Sequence, residues 1–313
     1  MELETTVRAL LTGGNGMLAR SIASAWRDQR DSEDLVVVTR TEADLTNAAE
    51  TRAMVARIQP DIILHCAARV GGIAANIADP TTFLMDNLLI DSSILKAAVD
   101  LGVPKLLYFG SSCMYPRDYR QPLVETDLLA APLEPTNEGY ALSKIVASKY
   151  CEYVSTQFGL DYRVVIPSNL YGPDDDYSLG QGHLVAAAIA KVHAAKESGA
   201  STIGVWGDGT ARREFTYVGD LADWIVTNVD DIHSWPTMMN VGFGSDHSVL
   251  EYYQAAMTVV GYTGELELDT TKPAGMHQKL MTSAVAHQFG WQPHTELLEG
   301  MDRAYRRYLE TLS

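Results

Sequence analysis

Thr12-Gly13-Gly14-Asn15-Gly16-Met17-Leu18-Ala19 follows a short apolar run, Val7 to Leu11, and opens directly into an apolar-periodic stretch, Met17 to Arg27. A strand that turns on glycines into a helix is the opening unit of a dinucleotide-binding fold. Glycine keeps that turn tight and lets backbone amides approach a pyrophosphate, which rests on the positive end of the helix. The stretch satisfies G-x-G-x-x-A from Gly14 and G-x-x-G-x-x-A from Gly13. Such patterns also occur in ordinary turns. Here the position after a first strand and before a helix gives the pattern its meaning.

Working outward, Leu35 to Thr39, Asp61 to Cys66, Lys105 to Phe109 and Arg163 to Pro167 are further short apolar runs. Helical patterns at Ala48 to Ile58, Asn87 to Leu101 and Tyr140 to Phe158 alternate with them. Nearly continuous apolar strands between helices mark a parallel sheet covered on both faces. The expected fold is therefore α/β, a Rossmann-type doubly wound parallel sheet. Beyond Pro167 the regularity weakens. Asn169-Leu170-Tyr171-Gly172-Pro173 reads as a turn and Asp174 to Gly182 as an irregular polar loop. Strand-like Thr202 to Trp206 and Glu265 to Asp269, with a helix at Leu221 to Val229, predict a smaller mixed α/β lobe. The expected division is a cofactor domain over 1–167, with part of 203–240 returning to it, and a mainly substrate-binding lobe over 168–313. Without an evident flexible linker, the lobes should pack tightly around a cleft.

The chain has 313 residues, 46% of them hydrophobic, enough for a substantial core. Its formal charge of −16 repels polyanions, which argues against nonspecific binding to nucleic acid or an anionic membrane. A small anionic substrate would need a few local cations, for which Arg40, Lys144, Lys191 and Arg213 are the candidates. No apolar run approaches the roughly 20 residues that cross a bilayer. Met1-Glu2-Leu3-Glu4 lacks a basic-then-apolar targeting pattern. Cys66, Cys113 and Cys151 are too few and too scattered for a disulfide framework, so a cytoplasmic location is expected. The eight histidines form no ligand-spaced pair, and no bound metal is expected.

The chemistry-bearing segment is Gly110-Ser111-Ser112-Cys113-Met114-Tyr115-Pro116, followed by Tyr140-Ala141-Leu142-Ser143-Lys144. A Tyr and a Lys four apart share one helix face, so the ammonium can sit near the phenol and stabilise its anion. Free tyrosine ionises near pH ~10, and a neighbouring cation with a Ser hydroxyl would bring it into range. Such a trio serves the oxygen of an alcohol becoming a ketone, or the reverse, while a nicotinamide exchanges hydride with the carbon. The pattern resembles the short-chain dehydrogenase/reductase family, in its extended, sugar-nucleotide-handling branch. Relatives specific for NAD often end strand two with an acidic residue, whereas this chain has Val38-Thr39-Arg40. A guanidinium there suits a 2′-phosphate, so NADP(H) is the expected cofactor. Asp44-Leu45 resembles the family's adenine-contacting pair.

Dehydratases of the branch carry Asp-Glu after the serine, where this chain has Ser112 and Cys113, which disfavours elimination. A thiol suits a different task, removing a proton from carbon beside a carbonyl, and is poised for it when a cation lies close. Inversion needs a proton donor on the opposite face, and His183, in Gly180-Gln181-Gly182-His183-Leu184-Val185, has a suitable pKa. On their own terms, a buried cysteine is usually inert packing and such a histidine is often structural.

A closer resemblance rests on Ala67-Ala68-Arg69-Val70-Gly71-Gly72-Ile73-Ala74-Ala75-Asn76, the Gly110 to Pro116 stretch, Leu133-Glu134-Pro135-Thr136-Asn137-Glu138, Asn169 to Pro173 and Arg213-Glu214-Phe215. These are similar to the GDP-L-fucose synthase family, 3,5-epimerase/4-reductases of GDP-4-keto-6-deoxymannose, and the similarity runs from Gly13 to about Trp291. It implies Ser111, Tyr140 and Lys144 as the reductase trio, with Cys113 and His183 as epimerase base and acid. It further implies cofactor contacts at Gly13, Asn15, Gly16, Met17, Arg40, Asp44, Ala67, Lys144, Pro167, Asn169 and Leu170. For the nucleotide sugar it implies Lys191, Trp206, Arg213 and Asn169. Two cations can neutralise a diphosphate and an indole offers a flat surface to a base or sugar; read alone, Trp206 is equally a strand-end core residue. The resemblance also implies a homodimer through helices beside the cofactor domain. One departure is Lys279-Leu280-Met281-Thr282, where the family places Asp at the last position, and Gln278 stands where a basic residue is usual. A GDP-colitose-type synthase, a 4-epimerase that retains NAD, and a noncatalytic NADP-binding regulator remain alternatives at this stage.

Overall fold

The computed structural model describes residues 7–30, 34–178, 182–271 and 276–312. The first half runs β1 (Ala9–Thr12), α1 (Met17–Gln29), β2 (Leu35–Val38), α2 (Ala48–Ile58), β3 (Ile62–His65), α3 (Ile73–Ala78), α4 (Pro80–Asp100), β4 (Lys105–Phe109), α5 (Glu138–Phe158) and β5 (Asp161–Pro167). The second half runs β6 (Asn169–Tyr171), α6 (Leu184–Ser198), β7 (Thr202–Trp206), β8 (Arg212–Arg213), β9 (Phe215–Tyr217), α7 (Val218–Asn228), β10 (Met238–Val241), β11 (His247–Ser248) and α8 (Val249–Val260). It closes with β12 (Glu265–Asp269), β13 (Gln278–Lys279), α9 (Ala284–His287) and α10 (Leu297–Leu312).

Strands β1 and β3 are buried at every position, as strands covered on both faces must be. The six-stranded sheet has the order β10-β5-β4-β3-β1-β2, with parallel pairs throughout. Its direction of winding reverses between β1 and β3, and the crevice at that reversal lies beyond the carboxyl ends of both strands. One face of the sheet packs Ile94, Leu95, Ile145 and Val154 of α4 and α5. The other packs Ile22 and Trp26 of α1 with Trp224 of α7, Trp235 and Trp291. Trp224 and Trp235 stack with centroids 4.7 Å apart. The chain thus returns to the sheet through α7 and β10 after an excursion over β6 to β9.

Helix limits follow local capping. Asn47 Oδ1 accepts the amides of Ala49 and Glu50 to start α2. Helix α4 begins seven residues earlier than apolar periodicity predicts, because Asp79 caps Thr82 and Pro80 occupies the first turn. Asn169-Leu170-Tyr171 corrects the sequence reading of a turn. These residues form β6, parallel to β9, and pack Tyr171 edge-on against Phe215 and Tyr217. The turn starts three residues later than expected, at Gly172, where φ is 152°. In the Asp174 to Gly182 loop, residues 174–178 and 182 form neither helix nor strand, and Leu179, Gly180 and Gln181 lie outside the described residues.

A second core gathers Ile189, Val192, Tyr252, Ala256 and Met301. The two halves are stitched by main chain. Leu123 N–H donates to Leu280 O at 2.8 Å and Thr282 N–H donates to Leu123 O at 2.9 Å. Lys279, next to this seam, pairs with Arg213 across the β8–β13 ladder.

Candidate active site

At the reversal point, Gly13 has φ 74° and a Cβ there would stand 2.7 Å from Ala67 N, so only glycine lets the turn close on the end of β3. Gly14 is equally confined, its Cβ position being 2.5 Å from Val37 Cγ1. Gly16 precedes α1 without a side-chain cap and the first helical turn carries no acidic residue. Asn15 and Met17 flank that uncapped end, which presents free amides and positive potential to an anion. Arg40 is exposed just beyond β2, and the Asp44 carboxylate accepts from Thr46 N and Oγ1. These features fit a dinucleotide phosphate, with room at Arg40 for an additional one.

Beyond β4, Ser111 starts a short helical turn over Ser112–Met114 and its Oγ accepts the Cys113 amide at 3.2 Å. Buried Met114 and Tyr115 anchor that turn. Tyr140 and Lys144 lie one turn apart at the start of α5. Ser111 hydrogen-bonds the Tyr140 phenol and favours its anion, but burial outweighs this and Cys113 and Asp91 add to it, so the phenol pKa is pushed up. Lys144 does not offset the rise. Its ammonium is buried, donates to Phe109 O at 3.1 Å and lies 4.5 Å over the Tyr108 ring. The expected lowering of the phenol pKa by Lys144 is thus not met, because the ammonium is directed at a carbonyl and a ring face.

Behind Lys144 runs a buried polar chain. Tyr108 donates to Asp91 Oδ2 at 2.7 Å, His65 Nε2 lies 3.1 Å from Asp91 Oδ1, and His65 Nδ1 lies 2.8 Å from Thr12 Oγ1. Ala67 N–H donates to the same Thr12 hydroxyl at 3.3 Å. Burial alone would raise the Asp91 pKa, yet Lys144 and then His65 and Tyr108 reverse the effect and hold it low. Burial holds the His65 imidazole below its ordinary pKa despite Asp91.

Cys113 is half-buried, with Asn137 Nδ2 donating to its sulfur at 3.1 Å and Lys279 Nζ 3.8 Å away. Arg213, whose pKa is lowered by burial, feels the sulfur as an opposing influence that raises it. His183 precedes α6 and is exposed. The protein around it lowers its imidazole pKa, Asp176 opposing and Lys279 reinforcing the shift. Pro167 ends β5 and Asn169 and Leu170 open β6, where Asn169 Nδ2 donates to Glu214 O at 3.1 Å. In the outer cleft Lys191 Nζ donates to Gly204 O at 3.4 Å and lies 5.9 Å from the ring centres of both Trp206 and Tyr253. Trp206 is 51% exposed. Strand β7 alternates outward and inward residues, and Trp206 points out, which excludes the reading of it as core.

The sequence profile of the NAD dependent epimerase/dehydratase family matches residues 9–242. The chain belongs to that family. It is 39% identical over 302 residues to a GDP-L-fucose synthase of Azorhizobium caulinodans, covering 96% of both chains. To a GDP-L-colitose synthase of Yersinia pseudotuberculosis it is 38% identical, covering 97% of this chain and 98% of the other. Among solved structures, a GDP-mannoheptose C4 reductase from Campylobacter jejuni with NADP bound superposes with TM-score 0.87 at 26% identity, covering 98% and 99% of the two chains.

Within this epimerase/dehydratase frame, two departures acquire local explanations. Thr282 Oγ1 accepts the Ala284 amide at 3.3 Å and so helps open α9. Gln278 donates to Asp246 Oδ2, whose other oxygen accepts from Arg212. Two side chains at the thiol, Asn137 and Lys279, were given no role by sequence reading. Both lie in stretches that carry the family resemblance, Leu133–Glu138 and Lys279–Thr282, yet nothing in sequence puts either beside the thiol; only the pairing of two-residue strands and the seam at Leu123 bring Lys279 there.

Proposed function

We propose that this chain is an NADPH-dependent epimerase/reductase of a GDP-4-keto-6-deoxyhexose, with GDP-4-keto-6-deoxy-D-mannose as substrate and GDP-L-fucose as product. One observation carries the reading. A single short turn presents both Ser111 and Cys113, and the Tyr140 phenol feels both groups. A base for carbon acids and a proton donor for a carbonyl oxygen therefore share one site.

Cys113 removes protons from the carbons flanking the ketone, while Ser111 and Tyr140 hydrogen-bond the oxygen that gathers the charge. His183 returns a proton from the opposite face. Tyr140 then protonates the carbon-4 oxygen; its raised pKa keeps the phenol protonated at neutrality, the form a reductase needs. NADPH, when bound, supplies the hydride for carbon 4. Gly13 and Gly16 would receive its pyrophosphate and Arg40 its 2′-phosphate. Lys191 and Arg213 are suited to the substrate diphosphate and Trp206 to a flat ring.

Residues Met85 and Leu89 of α4 and Leu142, Val146, Tyr150 and Tyr153 of α5 expose apolar side chains beside one another. We assign that face to a second copy of the chain. Among the described residues no helix is long and apolar enough to cross a membrane, and Cys66, Cys113 and Cys151 are free. Free thiols accord with the reducing cytoplasm.

The test is a product-resolved assay with NADPH and a panel of 4-keto sugar nucleotides. GDP-L-fucose from GDP-4-keto-6-deoxymannose is expected. Turnover only of a substrate lacking the 3-hydroxyl would shift the reading to a colitose-type synthase, and no NADPH consumption with any member would defeat it.

A further inference from the structure

Lys279 is a buried lysine with an unusual partner. Its ammonium hydrogen-bonds the Cys113 sulfur, and among the described residues it joins no ion pair. A cation taken out of water normally finds a carboxylate, because desolvation is otherwise uncompensated. The position is also not left to a flexible stem. The Lys279 backbone pairs with Arg213, the next residue's N–H donates to Gln121 Oε1 at 2.8 Å, and Met281 N–H donates to the buried Glu214 carboxylate at 3.0 Å. Together with the Leu123–Leu280 bond, these contacts bring β13 of the second lobe against the turn that carries Cys113.

We propose that Lys279 is a positioning residue for the epimerase base: its ammonium, with the Asn137 amide, aims the Cys113 sulfur and offsets the negative charge that the sulfur carries whenever it is deprotonated. Two donors converging on one sulfur, one of them charged, fix its direction and interact more strongly with negative charge than with a neutral group. The titratable and charged groups facing the sulfur are Tyr140 from α5, Arg213 from β8 and Lys279 from β13, with Glu134 beyond Arg213. The proposal rests on the reading of Cys113 as the base. It adds that the base is completed by the second lobe rather than by the sheet that carries it.

Alkylation of Cys113 by iodoacetamide, followed by peptide mass mapping across a pH series, reads thiolate formation without substrate or cofactor. Loss of hydration pushes up the thiol pKa values of buried Cys151 and partly buried Cys66, so they react slowly. Removing a unit charge 3.8 Å from the sulfur in Lys279→Met should move the inflection upward by about one pH unit, a tenfold loss of thiolate below it. Lys279→Arg should restore the wild-type profile. Should circular dichroism show that the methionine variant is unfolded, the near-isosteric Lys279→Gln takes its place with the same expected shift. An unmoved inflection overturns the proposal, including the case where substrate affinity alone falls, which would give the ammonium to the diphosphate. Deuterium exchange with Cys113→Ser separates the two readings. Loss of exchange there with an unmoved inflection defeats the Lys279 role alone, whereas persistent exchange defeats the base assignment on which that role rests.

Discussion

Replacing Asp91 by Asn keeps the shape of a buried side chain and removes the negative charge behind Lys144. The carboxylate accepts from Tyr108 at 2.7 Å and faces His65 Nε2 at 3.1 Å, and is almost wholly inaccessible to water. An amide can satisfy both neighbours, so the loss is the charge-assisted share of two hydrogen bonds plus the compensation of a buried ammonium. Breaking such an arrangement costs about 3 kcal/mol. The sign of the pH dependence follows from the shift. Asp91 has a native pKa below its unfolded value, so its contribution is complete above the unfolded carboxylate range and is lost as pH falls through the native pKa. His65, whose pKa is lowered by burial, acts in the same direction, because the unfolded imidazole takes up a proton below about pH 6.5. Urea unfolding at neutral pH should therefore show a lower midpoint for Asp91→Asn, with the gap to wild type closing only in strong acid. NADPH oxidation should fall as well, through the uncompensated Lys144. An unchanged midpoint together with unchanged turnover would show that the Asp91 charge supports neither the fold nor Lys144.

Gly13→Ala places a methyl group 2.7 Å from Ala67 N at φ 74°; left-handed backbone alone costs about 1–2 kcal/mol, so NADPH affinity measured by fluorescence titration should drop roughly tenfold or more. Trp206→Ala removes an exposed side chain, so the unfolding midpoint should stay within about 0.5 kcal/mol of wild type while KM for the sugar nucleotide rises. His183→Gln leaves the Cys113 side intact, and NMR of the recovered substrate should show deuterium entering from solvent without inversion at the exchanged carbons. Inverted product from that variant would remove His183 from its role.

Much of the sheet was legible because parallel strands buried on both faces leave unbroken apolar runs. Lys105–Phe109 and Ala48–Ile58 have the limits that their sequences predict. Elements governed by other signals were harder to see. The start of α4 is set by Asp79 and Pro80 rather than by period, and β6 is only three residues long before Gly172-Pro173. In the site, Ser111, Cys113, Tyr140 and Lys144 were legible as one motif. The direction of the Lys144 ammonium was not, since it depends on the Phe109 carbonyl and the ring of Tyr108. The Lys279 stretch was legible as family-like, but its place beside the thiol is legible only in three dimensions, because two-residue strands carry no periodicity and its neighbour Arg213 is distant in sequence.

On the reading proposed above, one cleft holds two separable chemistries, proton exchange at Cys113 and carbonyl reduction at Tyr140. Incubating GDP-4-keto-6-deoxymannose in deuterium oxide with each variant, and following label at carbons 3 and 5 by mass spectrometry, tests it most directly. Tyr140→Phe should continue to introduce deuterium while NADPH oxidation stops, and Cys113→Ser should introduce none. Wild-type label uptake by Cys113→Ser would show that the thiol is not the base.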